Sequence, residues 1–96
     1  MPVIKTEPTE RQQDSSYSGR YAAIMFNNDS NSFDEVIRIV MLATSCPVEE
    51  AQIETWEAHT FGEAAVHFAA ETECARVALT IASIGVRTEV RKEWDD

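Results

Sequence analysis

The junction at residues 20–35 constrains the fold of this chain more than any other stretch. Arg20-Tyr21-Ala22-Ala23-Ile24-Met25-Phe26 is short and apolar, and Asn27-Asn28-Asp29-Ser30-Asn31 cuts it off abruptly. Such a run bounded by turn formers reads as a strand. Ser32 follows as a helix N-cap, and Glu35 three residues on completes a capping box. A strand must therefore hand over to a helix across a loop crowded with short polar side chains. Two readings attach to that loop. Asn and Asp serve turns and caps on their own account. The same side chains could also form the mouth of a site for something rich in hydrogen-bond donors.

The rest of the chain falls into order around that junction. Phe33, Val36, Ile37, Val40, Met41 and Thr44 recur at helical spacing, which predicts a helix over 33–44. Ser45-Cys46-Pro47 breaks it, and Pro47 suits the first turn of a second helix, over 48–60, where Glu49 and Glu50 complement the dipole. Val48, Ala51, Thr55, Ala58 and His59 lie near one face of this helix, and Gly62 is its natural stop. Glu63–Phe68 alternates as a second strand. A third helix over 71–84 buries Cys74, Val77, Ala78, Ile81 and Ile84 and ends at Gly85. Val86–Arg91 alternates apolar and charged residues, as a half-buried strand does. The order β-α-α-β-α-β predicts an α+β domain: a three-stranded antiparallel sheet with the helices packed on one face. Residues 1–18 hold Pro, Gln and Ser without apolar periodicity and read as a disordered arm. Residues 19–92 form the core, and 93–96 an acidic tail.

Charge and length narrow the function. The net charge is −9, a surface that repels nucleic acid and anionic lipid and suits cationic ligands or basic partners. No apolar run is long enough to cross a membrane. The first residues lack the apolar segment of a signal peptide, so a cytoplasmic (cytosolic or stromal) location is expected. Cys46 and Cys74 read as small buried residues rather than a bridge or a nucleophile.

Several short motifs, taken in order, resemble the ClpS family of adaptors for the Clp AAA+ unfoldase and protease. Tyr21 leads a strand into Asn27-Asn28-Asp29. A later helix ends in Ala58-His59-Thr60-Phe61-Gly62. Glu71 and Ala75-Arg76-Val77-Ala78 match the family's third helix. The resemblance covers residues 21 to about 92 and implies an adaptor that delivers substrates bearing N-degrons, N-terminal destabilising residues. It implies that Asn27, Asp29 and His59 hold the substrate's α-amino group. It implies a pocket for a bulky apolar first side chain, walled by Ile24, Asn31, Phe33, Val36, Thr55, Ala58 and Val86. Glu71 and Arg76 fall where the family docks on the unfoldase's N-terminal domain. Four positions depart from the family pattern: Asn28 replaces an acid, Asn31 a Thr, and Phe33 and Thr55 two Met residues.

The chemistry of the triplet makes sense without the resemblance. A primary ammonium offers three donors, and an amide oxygen, a carboxylate and a neutral imidazole nitrogen supply three acceptors. Binding is therefore expected to weaken as His59 takes up a proton. Each residue also has a bland reading. His59 can cap carbonyls at a helix end, Phe33 and Val36 can be core, and Glu71 and Arg76 can be solvated charges. His67 has no matched role, and Trp56 reads as a core edge or an exposed contact. No orienting group or oxyanion motif accompanies a Cys–His pair, so no enzyme is expected. Asn27, Asp29 and His59 are a poor set for zinc or a hard cation, so neither metal nor cofactor is expected. The alternative is a ClpS-like interaction domain that modulates the unfoldase, or binds another partner, without a working degron pocket.

Overall fold

The computed structural model describes residues 20–93. The predicted arm at 1–18 and residues 94–96 of the tail lie outside them. The elements run β1 (Tyr21–Phe26), α1 (Phe33–Thr44), α2 (Val48–Phe61), β2 (Glu63–Ala69), α3 (Glu71–Ala82) and β3 (Thr88–Lys92). Among the described residues no helix is long and apolar enough to cross a membrane.

The sheet order is β2-β1-β3, with both pairings antiparallel. β1 is therefore the central strand, which its run of Ala22, Ala23, Ile24 and Met25, all buried, anticipates. A bulge between Ala23 and Ile24 shifts the register against β2. Ala23 and Met25 join the core with Val40, Ala51, Ala58, Val66, Val77 and Ile81. Ala22 and Ile24 alternate to the opposite face. There Arg91 of β3 reaches across the central strand to Glu63 of β2 at 2.8 Å and also binds Glu89 at 2.8 Å. Hydrogen bonding to Arg91 holds the Glu63 carboxyl below the usual range.

The helices follow their local signals, with three differences. The capping box forms as expected: Ser32 Oγ accepts from the Glu35 N–H, and Glu35 accepts from the Ser32 N–H. That backbone bond lowers the Glu35 carboxyl's pKa. α1 buries Ile39, Val40 and Ala43 rather than the full predicted stripe, and Phe33 remains 45% exposed. The helix is apolar around most of its girth, so periodicity left its rotation loosely fixed. Pro47 is the N-cap of α2, one position before the first turn, with ψ at 159°. α3 stops at Ala82 because the next amides turn tightly: Ile84 N–H donates to Ile81 and Gly85 N–H to Ala82. The following strand starts at Thr88, and Val86 turns inward at 2% exposure.

Candidate ligand-binding site

The loop after β1 is organised by its own side chains. Asn28 Oδ1 accepts from the backbone N–H groups of Ser30 and Asn31. Asn28 Nδ2 donates to Asn31 Oδ1 at 2.8 Å and, at 3.4 Å, to the Gly85 carbonyl. Asn31 Nδ2 in turn donates to Glu35, the capping-box acid. This is Asx-turn chemistry, in which a short amide replaces missing backbone partners. The main chain adds a link to α2: Asn27 N–H donates to the Gly62 carbonyl at 2.9 Å. Gly62 has φ +94°, a left-handed conformation that ends α2 and suits glycine.

A cavity of about 210 Å³ opens beside this link. Its lining brings together Asn27, Asn28, Asp29 and Asn31 of the loop, Phe33 and Val36 of α1, and Thr55, Ala58 and His59 of α2. Met25 and Phe26 of β1 and Val86 complete it. Asn27, Asp29 and His59 are exposed, whereas Met25, Thr55, Ala58 and Val86 are buried. The cavity thus has a polar mouth and a mostly apolar floor. The Phe33 ring meets the His59 imidazole edge-to-face at 5.3 Å, fixing one side of the mouth. Arg87 lies over the Phe26 ring at 4.0 Å from its centroid.

Nine of the ten residues expected at the amine and side-chain sites line this cavity; Ile24 does not. Strand parity turns Ile24 to the other face of the sheet and gives its place to Met25. Sequence reasoning missed Met25 because an unbroken apolar run carries no alternation to mark its faces. Phe26 was also missed, and its position beside the Asn triplet was the available signal. Glu71 and Arg76 lie elsewhere, exposed on α3, where Arg76 reaches the Ala43 carbonyl at the end of α1 at 3.4 Å. Five positions apart, they point about 140° from one another around the helix.

The remaining chemistry-bearing residues stand apart from the cavity. His67 pairs with Glu73. Trp56 is exposed and packs edge-to-face on Phe61. Cys74 is buried against the Tyr21 and Ala69 carbonyls, and burial pushes its thiol up. Cys46 is half-buried and free. With Glu50 and Glu54 it forms the one group of potential metal ligands among the described residues, their ligand atoms within 4.8 Å of one another. Burial and the neighbouring Glu50 push the Glu54 carboxyl up to about 8.

The sequence profile described as "ATP-dependent Clp protease adaptor protein ClpS" matches residues 16–87. No curated protein matches the chain. Among solved structures, Agrobacterium tumefaciens ClpS2 bound to L-phenylalaninamide is similar, with a TM-score of 0.75 at 16% identity. That match covers 80% of this chain and 100% of the other, and at such identity it speaks for the fold.

Proposed function

The chain belongs to the ClpS family of Clp protease adaptors, and from that premise we propose that it binds N-degrons and delivers them to the Clp AAA+ unfoldase. The family is one of adaptors rather than enzymes. The observation that carries the reading is the cavity itself, with Asn27, Asp29 and His59 at its mouth and a buried, mostly apolar floor. In this proposal the α-ammonium donates to the Asn27 amide oxygen, the Asp29 carboxylate and a neutral His59 nitrogen. The first side chain descends past Phe33 and Val36 onto Met25, Ala58 and Val86. An internal peptide N–H has one donor, so it would leave two of the three acceptors without a partner on the ligand. That deficit selects chain ends over internal residues. Glu71 and Arg76 are proposed as two separate contacts with the unfoldase's N-terminal domain, given their different directions on α3.

Calorimetric titration with Phe- and Leu-initiated peptides, each beside its N-acetylated form, tests the reading. Free amines should bind and acetylated peptides should not. The competing reading, an interaction domain without a working pocket, draws on the contact of Phe33 with His59, which narrows one side of the mouth. Equal or absent binding of both peptide forms would favour it.

A further inference from the structure

Thr55 is the one buried polar side chain among the described residues, at 4% exposure. It lines the cavity beside Ala58 and Val86. Its hydroxyl proton is already committed, because Oγ1 donates to the Ala51 carbonyl one turn back at 2.7 Å. Hydroxyl oxygen keeps acceptor lone pairs after donating, and no other hydrogen bond to Thr55 is made among the described residues. We propose that Thr55 is a specificity-determining residue that accepts a hydrogen bond from the substrate's first side chain. This rests on the adaptor reading and narrows it.

The side chain that fits has an apolar body and one donor at its far end. Tyrosine offers an O–H and tryptophan an indole N–H, whereas phenylalanine and leucine offer none. The Phe33 ring, set against His59 at the mouth, also suits a planar aromatic ligand better than a branched aliphatic one. Chain ends beginning with Tyr or Trp are therefore the preferred substrates, ahead of Phe and Leu.

The test compares peptides that differ only in their first residue, titrated into the full chain and into Thr55→Val and Thr55→Ser. The wild type should bind Tyr- and Trp-initiated peptides about three- to tenfold tighter than the Phe-initiated one, the size of one net hydrogen bond. Thr55→Val should erase that ratio by weakening the Tyr- and Trp-initiated peptides more than the Phe-initiated one, and Thr55→Ser should keep the ratio. A merely structural role would weaken all peptides alike. A ratio unchanged by Thr55→Val overturns the proposal, as does a wild type that binds the Phe peptide as tightly as the Tyr peptide. The wild-type comparison decides even if Thr55→Val fails to fold. Failure of every free-amine peptide to bind wild type would remove the adaptor reading and this proposal with it. Binding with no ratio removes this proposal alone.

Discussion

Asn28 occupies a position where the family pattern carries an acid, and its amide does what a carboxylate cannot. Oδ1 accepts two backbone N–H groups, while Nδ2 donates to Asn31 and to the Gly85 carbonyl. The departures at 28 and 31 are thus one coupled change, with the two side chains answering each other. Asn28→Asp would set a carboxylate against Asn31 Oδ1 and the Gly85 oxygen. We expect it to lower stability by about 1 kcal/mol in urea unfolding. Adding Asn31→Thr should recover part of that loss, so the double variant should be more stable than the single losses sum to. Strict additivity would mean that the two positions act independently.

At the scale of elements, α2 carries a strain of charge on the side away from the cavity. Glu54 is half-buried beside Glu50 and Glu57, with Arg20 and His67 lining the same hollow. Its carboxyl is raised to about 8 from 4.5, so the folded state holds a proton there that the unfolded chain releases. Stability from this group is full below about pH 4.5 and is lost as pH rises toward 8. Glu54→Gln should therefore stabilise the protein by roughly 1–2 kcal/mol at pH 8, after allowance for solvent screening, and by little at pH 4.5. Thermal melts across that range measure it; a gain that does not grow with pH would refute the assignment. The elements were legible wherever a local signal fixed them. Ser32 and Glu35 announced the start of α1, and Gly62 the end of α2. The end of α3 was less clear, because Ser83 and Ile84 continue the helical pattern while the Ile84 and Gly85 amides already close shorter turns. Ile24 and Met25 could not be told apart until the pleat of β1 assigned them faces. The candidate site was legible only through resemblance: His59 lies far along the chain from Asn27, and no periodicity links them.

At the scale of the whole molecule, the cavity sits where three elements meet at one end of the central strand. β1 is hydrogen-bonded on both flanks and reaches the loop at its best-anchored end. Phe26 N–H extends the pairing to the Arg87 carbonyl at 3.0 Å, past the formal start of β3. The floor therefore rests on the rigid part of the fold, and the mouth is drawn from a loop and a helix end. Seventeen acidic against eight basic side chains give the surface a negative field, which would draw a cationic ligand toward that mouth and would fade as salt is added.

The bond from Asn27 to Gly62 gives this mouth a kinetic character. It joins main chain to main chain, so evolution can rewrite every side chain around it without separating the two banks of the opening. On the proposed reading, an arriving peptide would find both banks already at their working distance and would spend none of its binding free energy on drawing them together. Gly62→Ala, whose Cβ would meet open space but whose φ of +94° suits glycine, should loosen that bond without touching the ligand. We expect it to slow association several-fold in stopped-flow measurements while dissociation changes less. The reverse pattern would mean that the opening is shaped by its guest.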